Sequence, residues 1–211
     1  MTDGAVVTPV TLEGRYVRLE PLTLAHVTPL LVAAAGGRET YTYTFVPGDE
    51  PTMRKYVSTA LHEQERGRAL PFVVVDARSV RVVGTTRFGN IEFWPWPEGN
   101  VNQRGASVPD AVEIGWTWLA DEAQRTGINT ESKLLMLAHA FEVWRVHRVR
   151  LLTDARNTRS RAAISRLGAR FDGVLRGHTV AADGGVRDSA CYSILEAEWP
   201  AVKRQLEAQL R

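Results

Sequence analysis

The sequence predicts one mixed α/β domain with the element order β-α-α-β-β-β-α-β-α-β-β-α. Three observations carry that expectation. Runs such as Ala69–Asp76 and Arg81–Phe88 are rich in β-branched residues. Between such runs, apolar residues recur at helical spacing, as Leu134, Leu137, Ala138 and Phe141 do. No internal repeat and no clear linker divides the 211 residues, a length that suits a single core.

The elements follow in order. Residues 1–11 read as a loose, flexible tail and residues 12–211 as the domain. Gly14–Leu22 alternates, with Tyr16, Arg18 and Glu20 against Val17, Leu19 and Pro21, and reads as a strand ending at its proline. Thr23–Ala35 sets Leu24, Val27, Leu30 and Leu31 on one helical face, closed by Gly36-Gly37. Thr52–Arg66 repeats the pattern with Met53, Tyr56, Val57, Ala60 and Leu61; Pro51 and Thr52 fit its start and Gly67 its stop. Ala69–Asp76 and Arg81–Phe88 make a hairpin.

Gly89–Asp110 reads as a long loop around Trp94-Pro95-Trp96-Pro97, its first part able to extend the preceding strand. Loops of that length are uncommon unless functional or disordered. Ala111–Leu119 is the central strand and Asn129–Trp144 the central helix. Arg148–Asp154 is a strand and Thr158–Leu167 a helix closed by Gly168. Arg170–His178 and Arg187–Leu195 form a hairpin about Asp183-Gly184-Gly185, and Trp199–Leu210 a last helix.

Composition narrows the function classes. The formal charge is +2, from 26 basic and 24 acidic residues, which argues against a dedicated nucleic-acid binder. Many arginines fall between Arg145 and Arg176, so a local basic patch facing a phosphorylated ligand is compatible with that balance. The single cysteine, Cys191, forms no internal disulfide and reads as a small core or sheet residue. No Cys/His cluster suggests a metal. The first ten residues lack a basic n-region and an apolar h-region, and the most apolar helix is too short to cross a bilayer. The expectation is a soluble cytoplasmic protein without a membrane partner.

The sequence lacks the common phosphate-binding, nucleophile-elbow and zinc-protease motifs. GxxxxGK[ST], GxGxxG after the first strand, GxSxG and HExxH are absent. What remains is a strand, Ala111–Leu119, feeding the loop Gln124-Arg125-Thr126-Gly127-Ile128-Asn129 and then a helix. Free N–H groups at a helix N-terminus, with Arg125 beside them, suit a phosphate or pyrophosphate. Gly127 would allow a positive φ, and Asn129 or Thr130 would cap the helix. An ordinary strand-to-helix connection explains the same residues. Glu131 opposes a bound anion there, and Lys133 offsets it.

Alternation in the strand puts Val112, Ile114, Trp116 and Trp118 on one face and Glu113, Gly115 and Thr117 on the other. Glu113 is thus a carboxylate among apolar neighbours. Burial raises a carboxylate's pKa toward the range a general base needs near neutral pH. The alternative is a Glu facing a solvated groove or paired with an arginine. In Asp154-Ala155-Arg156-Asn157-Thr158-Arg159-Ser160, Asn157 or Thr158 caps a helix, or the Asn157 amide and Ser160 hydroxyl face a ligand between strand ends. The five histidines are scattered and read as structural or surface residues.

The segments VEIGWTWLADEAQRTGINTESKLLMLAHAFE, LLTDARNTRSRAAISRLGARFDGVLR and DGGVRDSACYSILEAEWP together resemble the GCN5-related N-acetyltransferases (GNATs). The likeness is strongest to their RimJ/RimL-like branch and runs from about Leu12 to Trp199. It implies a twisted, mostly antiparallel sheet of about seven strands, flanked by helices and splayed at the cofactor. The family loop [RQ]xxGx[GA] is matched by Gln124 and Gly127, while Asn129 departs from it. By resemblance, the backbone of Trp118 and Leu119 would hold the pantetheine arm of acetyl-CoA. The amides of Arg125, Thr126, Gly127, Ile128, Asn129 and Thr130 would hold its pyrophosphate, with Asn157 and Ser160 beside the cofactor.

The family reaction is attack of an amine on the thioester. Glu113, directly or through water, would accept the amine's proton. A strand N–H would stabilise the developing negative charge. Ser160 or Tyr192 would protonate the thiolate, with no metal. Trp94, Trp96 and Tyr43, in the Phe93–Trp96 and Tyr41–Phe45 stretches, would wall the acceptor pocket, or simply pack on the surface. The expected acceptor is a peptide or protein N-terminus or a small amine, and a homodimer fits family habit. The competing reading is a catalytically silent acyl-CoA sensor or interaction module.

Overall fold

The computed structural model describes residues 7–105 and 107–211. Residues 1–6 of the expected tail lie outside the described residues, and Val7 and Val10 from its second half pack against the core. Eight strands form one open sheet: β1 (Leu12–Glu13), β2 (Val17–Pro21), β3 (Leu70–Asp76), β4 (Val82–Glu92), β5 (Ala111–Leu119), β6 (Arg148–Asp154), β7 (Arg170–Val180) and β8 (Val186–Leu195). Their order is β1-β2-β3-β4-β5-β6-β8-β7. Every neighbouring pair is antiparallel except β5 with β6. The helices are α1 (Val27–Ala34), α2 (Glu50–Glu65), α3 (Gly127–Ala138), α4 (Thr158–Arg166) and α5 (Trp199–Gln209).

The strand beyond the seven expected is β1. Gly14 N–H donates to the Val17 carbonyl at 2.8 Å, and this turn folds the chain back on β2. Helices cover both sheet faces, as successive residues of β4 record. Thr85 meets the Tyr56 hydroxyl of α2 at 3.0 Å, while Thr86 meets Lys133 and Met136 of α3. Helix α2 starts before the expected residue, because Asp49 is the N-cap and accepts from Thr52 N–H.

Helix α3 buries a wider arc than the one expected. Its inward residues are Glu131, Ser132, Lys133, Met136 and Leu137, with Leu134 and Ala138 half-buried. One π-helical turn, His139–Val143, follows it, and Ala140, Phe141 and Trp144 are buried there. Two charged side chains, Glu131 and Lys133, enter the arc because each finds partners across the fold. The Glu131 carboxylate accepts the backbone N–H groups of Arg15, Tyr16 and Val17 at 2.9, 2.6 and 2.9 Å. A Cβ on Gly14 would stand 2.4 Å from the Glu131 Cδ, so glycine is required at this turn. Glu131 therefore anchors the β1–β2 turn rather than opposing an anion at the helix start.

Strand β5 departs from alternation at a bulge. Thr85 pairs with Trp118 and Arg87 with Gly115, so Trp116 and Thr117 oppose the single residue Thr86. Trp116 takes φ +50°. The extra residue reverses the faces: Trp116 lies over Gly89, the strand partner of Glu113, and shares Glu113's face. Thr117 turns to the α3 face and meets Thr86 at 2.8 Å. Strict alternation had Trp116 opposite Glu113, and the bulge corrects it. The long loop does begin as strand, since β4 runs to Glu92.

Replacing Glu131 by Gln puts an amide where three N–H donors converge. We expect a loss of about 2 kcal/mol, from the worth of charge-assisted bonds and the cost of unmatched buried groups. Urea denaturation of Glu131→Gln beside the parent protein measures it.

Candidate active site

Strands β5 and β6 pair over just three residues, Ala111–Glu113 against Arg148–Arg150. Beyond Glu113 they part, and a cleft of about 1150 Å³ opens between them. Gly115, Trp116 and Thr117 line one side and Leu151, Leu152, Thr153 and Asp154 the other. Asn129 and Lys133 of α3, Ser160 and Ala163 of α4, and Tyr43, Thr44 and Phe45 complete the walls. A second cavity of about 770 Å³ shares Arg87, Asn90, Trp116 and His178 with the first.

Glu113 stands at the point of parting and is 7% exposed. Its Oε2 accepts Asn90 Nδ2 at 2.8 Å and the Arg150 guanidinium at 3.2 Å. Its Oε1 lies over Gly115, 3.1 Å from where a Cβ would stand. Glu113 is thus buried at the cleft and paired with an arginine, the pairing that the sequence offered as its second alternative. Four arginines of the Arg145–Arg176 run are paired with carboxylates, while Arg159, beside the Gln124–Thr130 loop, is not. Arg148 and Arg150 engage Glu92 and Glu113, Arg156 engages Asp154 and Asp183, and Arg170 engages Glu198.

The Gln124–Thr130 loop ends at the N-terminus of α3, as expected, with different local chemistry. Thr126, rather than Asn129 or Thr130, is the N-cap and accepts from Ile128 N–H at 3.2 Å. Arg125 takes the positive φ, +60°, and Gly127 does not. Gly127 is needed for space instead, since a Cβ there would meet the Tyr16 ring at 3.2 Å. Gln124 ties the loop down by donating to the Thr40 hydroxyl and the Leu119 carbonyl, both at 2.9 Å. Arg159 donates to Gln124 Oε1 and stands beside the loop. The first-turn N–H groups of a helix have no partner within it, so those of α3 other than Ile128, which bonds Thr126, are available at this mouth.

Other expected site residues are placed as follows. Ser160 and Tyr43 line the cleft. Asn157 caps α4 by accepting from Ser160 N–H at 2.9 Å, the capping alternative. Trp118 is buried against Tyr41, and the Leu119 carbonyl is taken by Tyr41 and Gln124, so the cleft edge of β5 is Gly115–Thr117. Tyr192 is buried beside Phe171 and accepts from Arg161 at 3.2 Å, away from the cleft lining. Trp94 and Trp96 pack against His147, with Trp94 N–H and Trp96 Nε1 donating to Asp110 at 2.7 Å. They brace the long loop and line neither cavity. His178, read as structural, lines both.

Sequence reasoning missed Asn90, Arg150 and Arg87 and undervalued Lys133. Lys133 follows Asn129 by one helical turn, so both belong to one face, which was a readable signal. Lys133 is 5% exposed, and its ammonium donates to Thr117 and Thr86 hydroxyls at 2.6 and 3.1 Å. Among the described residues no carboxylate pairs with it, and burial lowers its pKa to about 7. No cluster of His, Cys, Asp and Glu suited to a metal occurs among the described residues.

An open, mostly antiparallel sheet, parted at one parallel pair with a helix N-terminus at the mouth, defines a ligand-cleft α/β domain. Residues 17–170 match the family described as the Acetyltransferase (GNAT) domain, and the chain belongs to that family. It is similar to a curated Bacillus subtilis (strain 168) protein named "Putative ribosomal N-acetyltransferase YdaF", with 33% identity over 92 residues. That match covers 44% of this chain and 49% of the relative, so the chain spans about half the relative's length. A crystal structure of a GCN5-related N-acetyltransferase from Brucella melitensis is 28% identical, with TM-score 0.81 and coverage of 97% of this chain and 86% of that one. Mycobacterium smegmatis RimJ, solved with CoA-disulfide, shares the fold at 23% identity and TM-score 0.78, covering 96% of each chain.

Lys133 makes a signed prediction. With a native pKa near 7 and an unfolded one near ~10.4, the unfolded chain binds the extra proton between those values. Stability from this group therefore rises with pH from about 7 to about 10, and its full cost stands below 7. Lys133→Met leaves Thr86 and Thr117 bonded to each other. It is expected to raise the melting temperature most at pH 6, with the gain shrinking toward pH 10 in calorimetric scans.

Proposed function

We propose that the chain is an acetyl-CoA-dependent N-acetyltransferase acting on a primary amine, either a peptide or protein N-terminus or a small molecule. The observation that carries this reading is the parting of β5 from β6 directly after Glu113, beside the N-terminus of α3. The residues fit the cofactor. The first turn of α3, with Arg125 and Arg159 nearby, suits a diphosphate. The cleft edge of β5 at Gly115–Thr117 is open to a slender arm along the strand. When bound, acetyl-CoA supplies an activated carbonyl and a thiolate leaving group.

The chain's own residues supply the rest. Trp116, Arg87 and His178 bound the acceptor side, and Tyr43 and Phe45 bound the mouth. Glu113 Oε1 faces the space above Gly115, where it accepts a proton from the incoming ammonium, directly or through water. Arg150 and Asn90 hold that carboxylate in place through Oε2. Ser160, one of the hydroxyls lining the cleft, sits on the α4 wall and is the proton donor to the leaving thiolate in this reading; Tyr192 is bonded to Arg161 and lies outside the lining. The likeness to a protein named as a ribosomal N-acetyltransferase supports a peptide or protein acceptor and a cytoplasmic location for this chain. A homodimer across the free edge of β7 fits the same reading, since Phe171, Val174 and Leu175 are exposed there.

Release of CoA thiol from acetyl-CoA, with pools of peptides, polyamines and aminoglycosides, tests the proposal. We expect release with one pool and a fall of about 100-fold in kcat for Glu113→Gln. Full activity in that variant moves the base elsewhere. Tight acetyl-CoA binding with no release under any pool favours the silent sensor.

A further inference from the structure

Arg87 is a cation without an anion. It rises from β4 into the wall common to both cavities, half-buried, with its guanidinium 3.8 Å from the Trp116 ring centroid. No described residue gives it a hydrogen bond or an ion pair, and its Nε is buried without a partner. The carboxylates that bear on it do so at longer range: Glu113 is committed to Arg150, and Glu63 reaches it only through its field. Arginines this enclosed are normally paired, because an unpaired buried charge is costly. A guanidinium stacked by its face on an aromatic ring keeps its N–H edge free, and that edge matches a carboxylate in two parallel bonds.

Two neighbours give the edge a context. Glu113 stands on the same sheet face and, on the function proposed above, takes the acceptor's proton. Trp116 stands at the bulge just past the Arg87–Gly115 rung, and its ring folds back over Gly89, the partner of Glu113, beneath Arg87. An acceptor whose amine is at Glu113 therefore presents its next few atoms to Arg87. Of the other charges lining the smaller cavity, Glu92 and Arg150 engage each other and Glu92 also engages Arg148, Glu63 carries the ligand's own sign, and Arg68 is exposed at the rim, whereas Arg87 is half-buried beside Trp116.

We infer that Arg87, stacked on Trp116, is an anchor for a carboxylate carried by the acceptor a short chain away from the reactive amine. This rests on the acetyltransferase reading. The shared chemistry has two sources, a free α-amino acid or a peptide with an acidic residue at one of its first two positions.

The test compares matched acceptors. Free L-amino acids are set against their carboxamides, and peptides beginning Ser-Glu against those beginning Ser-Gln, with acetyl-CoA saturating. The expected result is a preference for the carboxylate of at least about tenfold in kcat/KM, carried mainly by KM. The pair showing it identifies the source. Arg87→Met, which can still pack on Trp116, lowers the ratio to about one, and Arg87→Lys restores part of it. Equal rates for both members of both pairs, or a preference that survives in Arg87→Met, overturns the anchor.

If nothing turns over, calorimetry on the CoA-loaded protein with N-acetyl-L-alanine and N-acetyl-L-alaninamide separates the two failures. Binding of the acid alone, lost in Arg87→Met, upholds the anchor while the enzyme reading falls. Binding of neither, or of both alike, overturns the anchor.

Discussion

The shortness of one parallel pairing governs this molecule. β5 and β6 share three rungs and then diverge. A parallel pair requires a crossover, and here the crossover is α3, so the helix N-terminus falls at the carboxyl end of β5. The last rung joins Glu113 to Arg150, and their side chains are bonded as well. Just past it, the bulge at Trp116 increases the twist of β5 and turns it away from β6. A gap in the middle of a sheet leaves backbone groups without ladder partners, which is costly unless something else occupies it. A ligand with a long polar arm is such an occupant.

Charge around the gap is arranged unevenly. Glu131 would oppose an anion at the start of α3, but three backbone N–H groups of the β1–β2 turn hold its carboxylate. Lys133 on one sheet face and Arg87 on the other are cations without carboxylate partners among the described residues. Four arginines of the second half, Arg148, Arg150, Arg156 and Arg170, are paired with carboxylates. Lys133 and Arg87 leave uncompensated positive charge at the cleft, which stabilises an anionic ligand at a cost to the unliganded fold.

Element types were legible because they rest on periodicity. The β5 and β6 spans agree with the sequence residue for residue, and the glycines and prolines mark most helix ends. What stayed hidden depends on register and on partners far along the chain. Alternation assumes an unbroken pleat, so it could not foresee the bulge that moves Trp116 to Glu113's face. The Gly14–Glu131 contact joins positions more than half the chain apart, and neither residue looks unusual alone. Tyr192, Trp94 and Trp96 have residue types suited to a site, yet packing and Asp110 engage them elsewhere. The loop at Gln124–Thr130 was readable as a helix entrance, but its cap and its positive-φ residue were each displaced from the expected position.

A crystal structure of the protein grown with acetyl-CoA tests this account most directly. The account predicts a diphosphate against the first turn of α3 and a thioester beside Trp116, between β5 and β6, with Glu113 facing the acetyl group. Cofactor density outside that gap, or β5 and β6 zipped together past Glu113 with the cofactor present, contradicts it.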